Sequence, residues 1–367
     1  MIIGVAREIK PGERRVALTP DTAGGLIQKG FTVHIESGAG VNSFYDDTAY
    51  KAAGTVIFQS KTDILSNADI LVKVNAPSDE EIELMKEGAV LISFMFASSN
   101  PDLVKQCARK KISAFSLDSI PRISRAQSMD ALSSQSNLAG YKAVMLAGNA
   151  LGKVFPLMMT AAGTVKPAKV VIMGAGVAGL QAVATAKRLG AIVEVSDIRP
   201  ETKEQVESLG GKFIEVKGDD SVRTEGGYVK EVSAEFLKKQ KEVVARHVAE
   251  ADVVITTALL PGKKAPLLIT EEMVKAMRFG SVILDMAVEQ GGNCAISEAG
   301  KTVVKHGVTI IGEMNLPSLL PVNASELFAK NISTFLLHLA DSNGFKWDMN
   351  DEITKGSLIV HRGVIEG

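Results

Sequence analysis

The sequence has few cysteines, no excess of charge of either sign and no long uninterrupted apolar run. Its two cysteines, Cys107 and Cys294, cannot build a disulfide framework and lack the close spacing of metal ligands. We therefore expect ordinary buried thiols in a reducing compartment. The net charge of -1 gives no reason to expect a nucleic acid as partner. The most apolar stretch, residues 143–163, is interrupted by Lys153 and Pro156, whereas a membrane span needs about 20 predominantly apolar residues.

Hydrophobic residues make up 46% of the 367 residues and charged residues 23%, which is typical of a globular protein large enough for two domains. Short β-branched runs alternate with helical patterns, and this alternation predicts βαβ units around parallel sheets. The runs are IIGVA, FTVHIES, DILVKV, AVLISFMF and KISAFSL in the first third, and VVIMGAG, AIVEVSD, KFIEV, DVVITTALL, SVILDMA and VTIIG later. We predict an α/β fold of two doubly wound, Rossmann-like domains with parallel sheets.

Two helical stretches indicate how these domains are joined. Ser133–Leu157 is rich in alanine, leucine, methionine and glycine and predicts a long connecting helix, and Ala324–Leu339 predicts a second helix that returns to the first domain. The expected domains are residues 1–132 completed by 325–367, and residues 133–324 with the connecting helices.

A glycine-rich turn follows the first strand of the second series. The apolar run Val170–Met173 leads into GAGVAG, in which Gly174 allows a tight turn, Gly176 lets the backbone approach a pyrophosphate and Gly179 lets helix pack on strand. Asp197 ends the next strand, 23 residues after Gly174, which is the spacing of an acid that accepts hydrogen bonds from an adenine ribose. The pattern predicts a dinucleotide site, against the alternative of a glycine turn that binds nothing.

The same residues indicate which dinucleotide is bound. The amide of Val177 lies in the first helical turn, where free N–H groups and the helix dipole favour phosphate. Asp197 would repel a ribose 2′-phosphate, so we expect NAD(H) rather than NADP(H), although Arg199 two residues later could soften that repulsion.

Longer motifs connect the sequence with a known family. PRISRAQSMDALSSQSNLAGYKA covers residues 121–143 and is joined in order by GAGVAG, by TTALLPGKKAP from Thr256 and by EQGGNC from Glu289. With these motifs the whole chain resembles the alanine dehydrogenase/transhydrogenase family. Within it the resemblance is to the NAD(H)-binding component, the alpha-1 subunit or domain I, of proton-translocating NAD(P)+ transhydrogenases, and more distantly to alanine dehydrogenase.

Several residues distinguish these two branches. Alanine dehydrogenase needs a histidine that moves a proton, after a strand that aligns with Leu91–Met95, and this sequence has Phe96 there. Glu289 replaces an aspartate of the dehydrogenase. Arg15 and Lys73 match cationic substrate-holding residues and are either relics, structural ion pairs or constituents of a retained small-acid pocket. The five histidines fall outside the segments that match the family's site: His34, His247, His306, His338 and His361.

Direct hydride transfer between two nicotinamides moves no substrate proton but needs reacting atoms about 3–3.5 Å apart with water excluded. The resemblance implies that Arg122, Asp130 and Ser133 hold the carboxamide and nicotinamide end, and that Gln127 reaches toward the second nucleotide. Arg122, Gln127 and Asp130 are therefore the expected catalytic residues. The alternative is a polar loop, Ser124–Asp130, whose last residue is the N-cap of the long helix.

A second polar loop, Gly218–Val232, lacks apolar periodicity and is predicted to be long and mobile. By resemblance it is the loop that closes over bound nucleotide, with Gly227 and Tyr228 approaching the adenosine side. Gln240 and Leu259 match further nucleotide contacts.

The resemblance also implies partners. We expect a homodimer, an NADP(H)-binding component and membrane-spanning transhydrogenase components that move protons, with this chain cytoplasmic and peripheral on the cytoplasmic face of the inner membrane. No metal and no nucleic acid are expected, and the chain is either a separate subunit or a fragment of a longer polypeptide. Two other functions stay open: a soluble NAD-dependent alanine dehydrogenase-like enzyme with an altered pocket, and an NAD(H)-sensing protein.

Overall fold

The structure is a computed structural model. It describes residues 1–215, 223–225, 228–231, 234–259 and 263–366, and only the backbone for those between 223 and 237. Two compact units form, Met1–Gln135 with Pro317–Gly367 as the first unit and Ser136–Leu316 as the second unit.

The helices of the described residues are α1 (Pro20–Gln28), α2 (Asp47–Ala52), α3 (Lys61–Asn67), α4 (Asp79–Leu84), α5 (Pro101–Arg109), α6 (Ala131–Ala150), α7 (Val177–Arg188), α8 (Thr202–Ser208), α9 (Ala234–Ala249), α10 (Glu271–Ala276), α11 (Pro321–Leu339) and α12 (Glu352–Ser357). Many begin at a side-chain cap, because a polar side chain there satisfies backbone N–H groups that lack a helical partner. Ser78 and Glu81, for example, form a reciprocal capping box at the start of α4.

The strands of the described residues are β1 (Ile2–Val5), β2 (Thr32–Glu36), β3 (Val56–Phe58), β4 (Ile70–Asn75), β5 (Val90–Phe94), β6 (Ser113–Ser116), β7 (Met158–Thr160), β8 (Gly163–Val165), β9 (Lys169–Met173), β10 (Ile192–Ser196), β11 (Lys212–Phe213), β12 (Arg223–Glu225), β13 (Tyr228–Glu231), β14 (Val253–Thr256), β15 (Val282–Asp285), β16 (Thr302–Lys305), β17 (Val308–Ile311), β18 (Ala340–Asp341), β19 (Gly344–Phe345), β20 (Leu358–His361) and β21 (Val364–Ile365).

The first unit is built on one sheet with the order β21-β20-β6-β5-β4-β1-β2-β3. From β3 to β6 the neighbouring strands are parallel. The C-terminal segment adds β20 antiparallel to β6, and β21 antiparallel to β20. Its buried core joins the sheet to α11, where Phe328, Ile332 and Phe335 are fully buried.

The sheet of the second unit has the order β11-β10-β9-β14-β15-β17-β16. All its pairs are parallel except β16 with β17. The order reverses beside β9, which is where doubly wound sheets bind ligands at the carboxyl ends of the strands. The predicted α/β class with two doubly wound domains is confirmed, although antiparallel strands extend one edge of each sheet.

The predicted connecting helix is wrong at its C-terminal end. The composition of Ser133–Leu157 predicts a helix throughout, but α6 ends at Ala150. The chain then turns and forms the β7–β8 hairpin, in which Met158 pairs with Val165. Gly152 and Pro156 follow the helix end and disfavour its continuation, because glycine adds backbone freedom and proline lacks the N–H that a helix needs.

Candidate functional site

The glycine-rich turn of the second unit adopts the predicted strand–turn–helix geometry. β9 ends at Met173, Gly174 has a φ of +105° that L residues rarely adopt, and α7 begins at Val177. A Cβ on Gly179 would lie 1.9 Å from the carbonyl oxygen of Gly174. The third glycine is therefore required for the helix to pack against the turn.

Gly176 differs from its two neighbours in this turn. It is the N-cap of α7, with φ of -77° and no side-chain cap. A Cβ built on it meets nothing within 4 Å, so open space lies beside the first turn of the helix. Free N–H groups and the positive end of the helix dipole make such a position suited to a phosphate.

Asp197 lies directly against the turn. Its Oδ2 accepts the backbone N–H of Ala175 at 2.6 Å. The Arg199 guanidinium donates to both carboxylate oxygens at 3.0 and 2.9 Å, and the Arg199 backbone N–H donates to Oδ1 at 2.8 Å. Burial alone would raise the pKa of Asp197, but these donors outweigh it and the pKa is lowered. The structure thus brings together the turn, the acid and the nearby cation that the sequence singled out.

The donors around Asp197 occupy about four positions, which is the capacity of an ionised carboxylate. The Asp197 side chain is 5% exposed and that of Arg199 is 22% exposed. A sugar hydroxyl that donates to Asp197 must therefore take the place of a guanidinium N–H. The residues fit a dinucleotide, on the condition that the Arg199 side chain yields.

Supporting residues around the turn were missed by the sequence reasoning. Thr257 Oγ1 donates to the carbonyl oxygens of Met173 and Gly174 at 3.2 and 3.1 Å. Asn293 binds both backbone groups of Ala258, accepting the N–H at 3.1 Å and donating to the oxygen at 2.9 Å. Thr257 and Asn293 lie in TTALLPGKKAP and EQGGNC, so the family motifs were the available signal.

The start of α7 also packs closely on α6. A Cβ on Gly140 would lie 2.1 Å from the carbonyl oxygen of Ala178. Asn137 donates to Gln181 at 3.2 Å one turn away. Gly140 therefore positions the phosphate-suited helix end by close packing, a contact between distant segments that no local pattern predicts.

In the first unit, the loop Ser124–Met129 is a 3-10 helix just before α6. Arg122 and Gln127 are exposed. Asp130 accepts the Ser133 N–H at 2.8 Å and the Ser133 hydroxyl at 2.6 Å. The structure brings Asp130 and Ser133 together as a helix cap, so the N-cap contact of the alternative interpretation is present.

The remaining predicted contacts are scattered. Val177 and Leu259 are each 42% exposed, and Gln240 is half-buried on α9. Gly227 lies outside the described residues, and Tyr228 is described only as backbone at the start of β13.

The positions that separate the two branches of the family have clear surroundings. Arg15 is buried and forms an ion pair with Glu13 at 2.7 Å. Lys73 is fully buried and pairs with Glu81 at 2.8 Å. These contacts match the interpretation as structural ion pairs. Phe96 is 46% exposed and has a φ of +47°.

Both cysteines are buried as expected, and burial raises the pKa of Cys107 to about 12. Among the described residues no group of three or more histidine, cysteine, aspartate or glutamate side chains could hold a metal ion. No helix in the described ranges is both long and apolar enough to cross a membrane.

The strand order, the glycine turn and the acid beside it define a two-unit α/β protein with a dinucleotide-type site. The alanine dehydrogenase/PNT family matches the chain with its N-terminal domain over residues 4–139 and its C-terminal domain over residues 143–366. A relative from Rhodospirillum rubrum, the first of the separate chains that make up its NAD(P) transhydrogenase subunit alpha, is 50% identical over 374 residues, which covers 100% of this chain and 97% of that protein.

Solved structures agree with these matches. A transhydrogenase from Sinorhizobium meliloti superimposes with a TM-score of 0.91 at 43% identity, covering 100% of both chains. An L-alanine dehydrogenase gives a TM-score of 0.83 at 29% identity, covering 100% of this chain and 96% of the other. The chain belongs to the alanine dehydrogenase/PNT family. The predicted family, its transhydrogenase branch and the assignment to an enzyme are confirmed.

Proposed function

We propose that the chain is the NAD(H)-binding component of a proton-translocating NAD(P)+ transhydrogenase, which passes hydride directly between its own NAD(H) and NADP(H) held by a partner component. The observation that carries this proposal is the combination of an intact glycine turn and Asp197 with Phe96 at the position of the dehydrogenase's proton-transferring residue. The 50% identity with a transhydrogenase subunit along the whole chain supports the same branch.

The second unit holds the adenosine and pyrophosphate moieties. Backbone N–H groups at the start of α7 donate to phosphate oxygens, and the open space at Gly176 admits them. Asp197 accepts ribose hydroxyls, and its negative charge disfavours a 2′-phosphate. Arg199 neutralises that charge in the structure and must exchange its hydrogen bonds for those of the ribose.

When bound, the nicotinamide ring supplies or accepts the hydride. Arg122, Asp130 and Ser133 orient its carboxamide end, and Gln127 orients the second nucleotide. Since no proton is taken from a substrate, a phenylalanine at position 96 is compatible with this chemistry, whereas a proton-transferring enzyme loses about 10²–10⁴-fold without its acid or base.

We further propose that the chain acts as a homodimer through the β7–β8 hairpin. All residues from 156 to 166 are exposed, and Leu157 and Met159 are 57% and 80% exposed. An isolated two-stranded hairpin is at best marginally stable in water, and grouped exposed apolar side chains mark interaction sites. A second copy of the chain is the occupant that this proposal assigns to it.

The proton-translocating step of the activity belongs to membrane-spanning partners. We place this chain on the cytoplasmic face of the inner membrane, attached through those partners and through the NADP(H)-binding component. The Rhodospirillum rubrum relative is named as one piece of a subunit alpha, which supports a multi-component assembly.

Reconstitution tests the proposal directly. The purified chain is mixed with an NADP(H)-binding transhydrogenase component, and hydride transfer between NADH and an NADP+ analogue is followed by absorbance. We expect turnover only when both components are present. Absence of turnover in the mixture, with both nucleotides shown to be bound, would overturn the transhydrogenase assignment.

The second candidate, an alanine dehydrogenase-like enzyme, is favoured only by the presence of Arg15 and Lys73. Both cations are already paired with Glu13 and Glu81. Steady-state assays with alanine and NAD+ at alkaline pH distinguish the candidates, because robust deamination would place the chain in the dehydrogenase branch. An NAD(H) sensor would bind nucleotide and show neither activity.

A further inference from the structure

The loop Ser124–Met129 carries Gln127 outward on a buried base. Ala126 and Met129 are 1% and 7% exposed and belong to the core of the first unit. Gln127 is exposed between them. The position of the Gln127 side chain therefore depends on what holds the backbone of this one short turn.

The first holding contact comes from the C-terminal segment. Asp351 Oδ1 lies 2.5 Å from Arg125 Nη2, and Asp351 Oδ2 lies 2.9 Å from His338 Nε2. The backbone N–H groups of Ile353 and Thr354 also donate to Oδ2, at 3.1 and 3.0 Å. Burial alone would raise the pKa of Asp351, but these donors lower it. The carboxylate is thus fixed in place and charged before Arg125 binds.

This anchoring distinguishes the pair from ordinary surface ion pairs. The Arg125 side chain is 54% exposed but that of Asp351 is 10% exposed. Exposed pairs contribute little because two long side chains must be ordered in a high-dielectric medium. Here one partner is already ordered by its other hydrogen bonds, so the contact costs the entropy of the arginine alone.

The second holding contact comes from α11. Asn331 is 7% exposed, and its Nδ2 donates to the carbonyl oxygen of Ser128 at 2.8 Å. Arg125 and Ser128 stand on the two sides of Gln127 in the sequence. The turn is consequently held before and after the residue to which we assign the second nucleotide.

We propose that Arg125, through Asp351, and Asn331 are positioning residues that set the placement of Gln127 for hydride transfer. This inference rests on the proposed function. Misplacement of reacting groups by about 1 Å can cost 10²-fold in rate. None of these three residues belongs to the dinucleotide turn, so their loss acts on the transfer rate and spares NADH binding.

The test uses Arg125→Met, Asp351→Asn and their combination in the full chain. Asparagine is retained at the N-cap of α12, where it is also a favoured residue. We expect each single variant to lower the transfer rate in the reconstituted complex about tenfold, since a shift of a few tenths of an ångström falls short of the full loss. The double variant should lose no more than the worse single one, because both remove the same contact. The dissociation constant for NADH should change less than about twofold.

Arg125→Lys is the rescue variant and should recover at least half of the lost activity on a logarithmic scale, since it keeps a cation opposite Asp351. Asn331→Leu tests the second contact with the same readouts. Arg109→Met is the matched control, because it removes an exposed arginine–glutamate pair of the same unit, with Glu83, and should leave the rate unchanged.

Wild-type transfer rates in Arg125→Met and Asn331→Leu would overturn the inference while leaving the proposed function intact. A loss of NADH affinity in proportion to the rate would also overturn it, since the residues would then be ground-state contacts. If the wild-type mixture itself shows no transfer, the proposed function fails instead. Thermal unfolding of each variant identifies simple loss of folding, in which case Arg125→Lys decides the outcome.

Discussion

At the scale of single residues, the three glycines of the turn have three separate physical roles. Gly174 is required by its positive φ, Gly179 by the carbonyl oxygen 1.9 Å from its would-be Cβ, and Gly176 by neither. Because the protein itself does not need a glycine at position 176, the conformation and packing of the chain cannot explain it. A ligand that approaches the backbone does explain it.

This difference gives a prediction with an internal control. Gly176→Ala should fold with a thermal unfolding midpoint within about 2 °C of wild type, because the added methyl meets open space. Its affinity for NADH should fall at least tenfold. Gly179→Ala should lower the unfolding midpoint by several degrees, because its methyl cannot coexist with the Gly174 carbonyl. Unchanged NADH affinity in a folded Gly176→Ala protein would contradict the phosphate role of this turn.

The pairing of Asp197 with Arg199 predicts the choice between nucleotides. Wild type should bind NADH much more tightly than NADPH in equilibrium dialysis, because the Asp197 charge lies where a 2′-phosphate would bind. Asp197→Asn should narrow the gap about tenfold, roughly 1.4 kcal/mol. Arg199→Met should widen it, since the carboxylate then loses its neutralising partner. Comparable affinities of wild type for both reduced nucleotides would show the cofactor assignment to be wrong.

Sequence reasoning found the residues whose role is local and missed those whose role is tertiary. Gly174, Gly179 and Asp197 follow from a strand–turn–helix pattern with fixed spacing, and the structure places them together. Gly140 acts only because a second helix crosses at that point, and Asn293 because a distant loop returns to Ala258. Such contacts depend on the packed fold, so no short window of sequence contains them.

Glu13 predicts how the first unit responds to acid. Burial would raise its pKa, but Arg15 and Asn75 outweigh burial and hold the pKa at about 2. A carboxyl whose folded pKa is lowered stabilises the fold above its ordinary pKa near 4.5, and this stability is lost as pH falls toward 2. The shift corresponds to on the order of 3 kcal/mol at neutral pH.

In urea unfolding, Glu13→Gln should therefore be less stable than wild type at pH 7, and the difference should shrink steadily between pH 4.5 and 2. Glu87→Gln is the control, since that glutamate forms an exposed pair with Lys111 and should change little. A Glu13→Gln protein as stable as wild type at pH 7 would show that the Arg15 pair contributes nothing net.

At the scale of elements, the sequence predicted the alternation of strands and helices but not every boundary. The apolar composition of Ser133–Leu157 fits a helix and an exposed hairpin equally well, and only the hairpin forms after Ala150. Short apolar strands cannot be distinguished from helical turns by composition alone. In this segment the exposed methionines and leucine are the sign that another surface covers them.

The hairpin makes the homodimer testable. Met159→Asp places a charge on a side chain that is 80% exposed, so the monomer should unfold at the wild-type midpoint. If a second copy covers the hairpin, sedimentation should show a shift from dimer to monomer, because burying an unpaired carboxylate costs several kcal/mol. Phe279→Asp is the control, being 92% exposed in the same unit. A Met159→Asp dimer as tight as wild type would place the interface elsewhere.

At the scale of the whole molecule, the two units carry different steps of one proposed reaction. The second unit supplies a rigid turn and an acid that suit a dinucleotide, and the first supplies a short loop with exposed polar residues before α6. The sequence predicted both units and the loop, because their motifs are continuous. It could not predict that Asp351, over two hundred residues later, would hold that loop through Arg125.

Gln127→Asn separates an enzyme from a nucleotide-binding sensor. The change shortens the side chain by one methylene, and since misplacement by about 1 Å can cost 10²-fold, hydride transfer in the reconstituted complex should fall by an order of magnitude or more. NADH affinity of the isolated chain should stay nearly unchanged, because Asp197 and the glycine turn are intact. Gln28→Asn, an exposed glutamine of the same unit, is the matched control and should transfer at the wild-type rate. Equal rates in wild type and Gln127→Asn would rule out the positioning role, and loss of NADH binding in step with rate would make Gln127 an ordinary binding contact.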